Sequence, residues 1–163
     1  GPYIEKIISV TGIPSYPLCP FTITYKYRTC PLGLDMIFLG MSYQFLNPGC
    51  TQFDIDTNGP NGPQILDQVI KELINVAIET EGFDLAVPCG QGGPKLLNFF
   101  QSSCSKRCLV EVKSDGGLTI RKIVVIPCGN GCCKTTLEVC FDENGILKTN
   151  VVVSPAPTSN CPP

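Results

Sequence analysis

At 163 residues the chain has the length of one domain, and a core of that size hides roughly 70% of the unfolded surface without help from a metal or a partner. It contains no histidine, which removes the usual neutral-pH base, the commonest metal ligand and the standard partner of a serine or cysteine nucleophile, so the composition argues against an enzyme. A net charge of -2 with only 16% charged residues and no Lys/Arg cluster leaves no electrostatic footprint for nucleic acid, while 43% apolar residues leave little to keep copies of the chain apart.

Tyr3 to Val10 mixes Ile4, Ile7, Ile8 and Val10 with Glu5 and Lys6 and reads as a first strand, stopped by Gly12-Ile13-Pro14. From Phe21 to Arg28, Phe21, Ile23, Tyr25 and Tyr27 alternate with Thr22, Thr24, Lys26 and Arg28, the period-two pattern of a sheet with one buried face. Apolar stretches at Met36 to Phe45 and Gln52 to Ile55 continue the strand pattern, with Asn47-Pro48-Gly49 as the turn between them. Three- and four-residue spacing of Ile65, Leu66, Val69, Ile70, Leu73, Ile74, Ala77 and Ile78 predicts one helix over about 63–81. Pro63 stands at its start, Asp67 near its positive end, and Gly82 is placed to close it in the left-handed conformation.

Cys108 to Val112, Leu118 to Ile126, Cys133 to Phe141 and Ile146 to Val153 read as further strands. Ser114-Asp115-Gly116-Gly117 and Asp142-Glu143-Asn144-Gly145 separate them as hairpin turns, which predicts an antiparallel meander. The fold class expected is α+β and mostly β: a disulfide-stapled antiparallel arrangement with the helix on one face, in a single domain 1–163 that ends in an extended Pro-rich tail, 154–163.

Eleven cysteines in so short a chain point to an oxidising compartment. Cys19, Cys30, Cys50, Cys89, Cys104, Cys108, Cys128, Cys132, Cys133 and Cys140 are the expected bridge formers. Their connectivity has on the order of ten thousand solutions. A Cys104–Cys108 bridge closes a small loop, and adjacent Cys132 and Cys133 call for different partners. The odd count leaves one thiol free or shared between chains. Cys161 in the tail is the candidate for an intermolecular bond, its alternative being a staple to its own domain. A zinc site from Cys128, Cys132, Cys133 and Cys140 is disfavoured because three of the four crowd together.

Asp54, Asp56 and Asn58, with Gly59, open like a calcium loop, but Ile65 stands where the bidentate glutamate belongs, and a plain strand with outward acids explains the same residues. Gly90-Gln91-Gly92-Gly93 lacks the Gly-Lys-Ser/Thr of a phosphate loop and reads as a turn. The acid pairs Asp142/Glu143 and Glu79/Glu81 read as solvated carboxylates at a hairpin tip and a helix end, and Tyr25 with Tyr27 as core rather than a sugar platform. No Asn-X-Ser/Thr sequon occurs. No cofactor is expected.

Pro127-Cys128-Gly129-Asn130-Gly131-Cys132-Cys133-Lys134 with Val139-Cys140, and Ile23-Thr24-Tyr25-Lys26-Tyr27-Arg28-Thr29-Cys30, resemble uncharacterised Cys-rich domains of exported Bacteroidota cell-surface proteins, many of which leave by type IX secretion. The resemblance implies a bacterial-surface setting and assigns no site residues. No apolar run reaches the ~20 residues that span a bilayer, so membrane insertion is not expected.

These features together lead to a non-enzymatic, secreted or cell-surface structural subunit whose partner is itself, assembling into a fibre, sheath or surface layer by strand addition at Tyr3 to Val10 or Ile146 to Val153. An adhesin or ligand-binding module is the second reading, and a secreted carboxylate-dependent hydrolase the third.

Overall fold

The computed structural model describes residues 2–30, 33–91, 95–102, 105–113, 119–127 and 132–158. Strands β1 (Ile4–Val10), β2 (Phe21–Cys30) and β3 (Gly33–Tyr43) form an antiparallel meander. The alternation in the second strand has the expected outcome: Phe21, Ile23 and Tyr25 are at most 1% exposed, while Thr22, Thr24 and Lys26 lie on the other face.

Gln52 to Ile55, expected as a strand, is part of helix α1 (Thr51–Thr57). Asn47 accepts the Gly49 N–H and Pro48 opens a 3-10 turn over Pro48–Cys50, which turns the chain before α1 begins. Phe53 then fits among the rings of Tyr16, Phe21 and Tyr43, with centroids 5.1, 5.0 and 4.8 Å away. A strand would have buried Phe53 and Ile55 alike, whereas the helix buries Phe53 completely and leaves Ile55 59% exposed. Two apolar residues at period two are too few to fix a strand against such packing.

Helix α2 (Gly62–Leu85) begins as expected but continues past Glu81. Gly82 is not its left-handed cap. It lies inside the helix, where an added Cβ would come within 3.3 Å of Val139 and 3.5 Å of Leu147, so the missing side chain lets the helix lie close on the sheet. Val69, Ile70, Leu73, Ile74, Ala77 and Ile78 face the inner side chains of the sheet, including Met36, Met41, Leu97 and Leu137. Burial of each larger member contributes roughly 1.5–3 kcal/mol.

After α2 come β4 (Val87–Pro88), β5 (Lys95–Ser102), β6 (Ser105–Lys113), β7 (Thr119–Pro127), β8 (Cys132–Phe141) and β9 (Leu147–Thr158), which complete a nine-stranded sheet among the described residues. The expected meander is instead two separate hairpins, β6–β7 and β8–β9, docked at different places. Strand β3 divides them. Its Gly33–Ile37 half pairs in parallel with β5, its Gly40–Tyr43 half pairs antiparallel with β7, and the pairing with β2 shifts register between the two halves. The sheet therefore forks at Phe38–Leu39. One arm continues through β5 to β8 and β9, and the other through β7 to β6.

The Asp142–Gly145 turn forms as read, with Gly145 at φ 74° and the Asp142 carboxylate accepting the N–H groups of Asn144 and Ile146. The tail is not free at its start, because residues 154–158 belong to β9, with Ala156, Pro157 and Thr158 opposite Lys134, Cys133 and Cys132. Residues 159–163 and the 114–117 turn lie outside the described residues.

Candidate functional site

Strand β1 is an outermost strand: among the described residues its one partner is β2, matched residue for residue from Ile4–Tyr27 to Val10–Phe21 with no bulge. Its other edge leaves a row of backbone donors and acceptors that no strand of the described residues pairs with. Lys6, Ile8 and Val10 face the helix side, and Glu5, Ile7 and Ser9 face away. Val10 is buried, but Ile7 in mid-strand is 64% exposed and Ile4 is 55% exposed. Proteins commonly blunt such edges with proline, a bulge, charged side chains or an inward-pointing charge. Here β1 contains no proline and its pairing is regular; its inward-pointing charge, Lys6, is ion-paired with Glu81.

That lysine anchors the strand. Lys6 Nζ donates to Glu81 Oε1 at 2.7 Å, and the Tyr25 hydroxyl donates to the same oxygen at 2.5 Å. Glu81 is 3% exposed, so it is not the solvated helix-end acid expected. Its position follows from spacing that was available in the sequence: Ile74, Ala77, Ile78 and position 81 continue one helical stripe, which places the carboxylate on the sheet. A charge so buried requires partners, and the edge strand supplies one of them.

On the opposite face a polar row crosses four strands. Arg28 Nε donates to Asp35 at 3.0 Å, Asn98 Nδ2 donates to the other Asp35 oxygen at 2.9 Å, and Thr136 Oγ1 donates to Asn98 Oδ1 at 2.9 Å. Tyr3, just ahead of β1, lies under the Arg28 guanidinium at 4.6 Å from the ring centroid. The start of the edge strand is thus held on one face by Tyr3 and on the other by Lys6.

The calcium candidates occupy helix α1 and its cap rather than a loop. Asp54 accepts from the Tyr43 hydroxyl at 2.9 Å and from Arg121 at 2.5 Å. Asp56 accepts from the Tyr16 hydroxyl and Gln52, both at 2.7 Å, and Asn58 donates to the Asp54 carbonyl. Helical hydrogen bonding consumes the backbone carbonyls that a calcium loop would offer, and no cluster of three acidic or cysteine side chains with metal-binding spacing occurs among the described residues. Burial, and then the bond to Asp56, pushes the Tyr16 hydroxyl up to about 12. Beside this pair lies an open cleft of about 500 Å³ lined by Ser15, Tyr16, Pro17, Gln52, Asp56 and Gln68 among others.

The remaining candidates are dispersed. Tyr25 is core, and Gly90, at φ 79°, makes a turn after β4. Asp142 is held below the usual carboxylate range, chiefly by the Ile146 and Asn144 amides. Among the described residues two bridges form: Cys19–Cys50, with Cα atoms 4.4 Å apart, and Cys89–Cys140, with Cα atoms 4.9 Å apart. Cys30 departs from the expected bridge and carries a free thiol. Cys104, Cys128 and Cys161 lie outside the described residues, as do the side chains of Cys108, Cys132 and Cys133. No helix of the described residues is long and apolar enough to cross a membrane. No family model, no curated protein and no solved structure matches the chain.

Proposed function

We propose that this protein is a secreted, non-enzymatic structural subunit that assembles with copies of itself into a fibre, sheath or surface layer, using the edge of β1. The observation that carries the reading is the regular, proline-free β1 edge with Ile7 64% exposed in its middle. Two disulfides support an oxidising compartment, and the absence of histidine together with carboxylates engaged by Tyr, Arg and Lys side chains supports a role without catalysis.

The test is sedimentation velocity across a concentration series, with negative-stain microscopy and gels run with and without reductant. Ordered assemblies, or a concentration-dependent rise in mass, are expected. A monomer at every concentration overturns the reading. A second reading, a surface binding module, is favoured by the cleft beside Tyr16 and Asp56; a monomer that captures a glycan or protein, and loses it on Asp56→Ala, would establish it in place of the first.

A further inference from the structure

We infer that the partner of the β1 edge is the β1 edge of a second copy, paired antiparallel about a twofold axis that passes beside Ile7. This deepens the self-assembly reading above and rests on it. In a continuous sheet with the axis perpendicular to the sheet, the helix-bearing face of one copy continues into that of the other, so directly opposite residues must come from the same face.

That condition leaves few registers. Centring on Glu5 sets two carboxylates opposite each other, and centring on Lys6 sets two ammonium groups opposite each other, both unfavourable. Centring on Ile8 leaves Ile4 and Glu5 overhanging. Centring on Ile7 alone uses the whole strand, Ile4–Val10. It places Ile7 against Ile7, Glu5 against Ser9, Lys6 against Ile8 and Ile4 against Val10, with no like charges opposed.

The register also covers what is most exposed. Ile7 stands beside Thr24 of β2, so the joined sheets carry a Thr24–Ile7–Ile7–Thr24 row across the junction on the outer face. Lys6 keeps its bond to Glu81, because it points to the other face. A twofold contact is closed, so the dimer becomes the repeating unit and any fibre grows through another surface.

The experiment pairs Ile7→Lys with Ile7→Glu and follows mass by sedimentation, alone and mixed, beside the unaltered protein. Ile7 is exposed, so both variants should fold, which circular dichroism checks. Each variant alone should dimerise roughly tenfold or more weakly, because like charges meet at the axis. The one-to-one mixture should regain the dimer as opposite charges meet. As an independent readout, Ser9→Lys, which faces Glu5 of the other copy, should tighten the dimer several-fold.

If the unaltered protein assembles and both variants still assemble, the β1 contact is wrong. If both variants become monomers and mixing restores nothing, β1 meets a different edge: the twofold register is overturned while self-assembly stands. A monomeric unaltered protein overturns both.

Discussion

Among the described residues strands β1 and β9 are each outermost and each paired with a single strand, yet their sequences treat the edge differently. The second half of strand β9 contains Pro155 and Pro157, which have no N–H to offer, and its pairing with β8 breaks register twice around Thr136, while Leu147–Val151 pairs regularly. Strand β1 is regular and proline-free, with an isoleucine exposed at its centre. The contrast teaches that an edge is opened or closed by a few residues, not by its place in the fold.

The comparison can be broken by loosening each edge separately. The largest effect is expected from replacing Cys89 and Cys140 together by serine, which removes a bridge spanning 51 residues and should destabilise by about 4 kcal/mol. Chemical denaturation measures the loss, and hydrogen exchange should rise in β8 and β9 while β1 stays protected by β2. Uniform loosening would show that the two edges are not independent.

Next is Lys6→Met, which leaves the buried Glu81 carboxylate without its cation and should cost about 3 kcal/mol, with exchange rising first at β1. Adding Glu81→Gln should recover most of that stability, because no buried charge is then left unpaired. Failure of the double substitution to recover would mean that Lys6 works through packing of its methylenes instead.

The smallest effect on stability, under about 1 kcal/mol, is expected from Pro155→Thr with Pro157→Thr. Its consequence should appear in association: a second open edge should raise the mass of the assembly by light scattering. No change in mass would mean that the register breaks alone suffice to keep β9 closed.

Much of this was legible in the sequence. The alternation from Phe21 to Arg28 fixed the buried face of β2, and the stripe from Ile65 to Ile78 located the long helix. Helix α1 was not legible, since its conformation is decided by three rings brought to Phe53 from β2, β3 and the β1–β2 connection. Strand β5 was missed because Lys95 to Ser102 mixes both periods, and its central Asn98 reads as solvent-facing until Asp35 and Thr136 are seen beside it. Of the site, the edge strands were named from sequence. What separates β1 from β9 emerged only from pairing register, which depends on residues far apart in the chain.

The parallel pairing of β3 with β5 also bears on how the molecule is made. Asp35 and Asn98 meet across 63 positions of chain that include both helices, so the β1–β3 meander can form early and locally, while β5 must wait for a long loop to close. Until then the three-stranded sheet is open at β1 and along both halves of β3, which β5 and β7 later cover. The margins of that meander differ in outcome: the finished fold covers the β3 side with β5 and β7, and the β1 side keeps β2 as its one strand partner among the described residues.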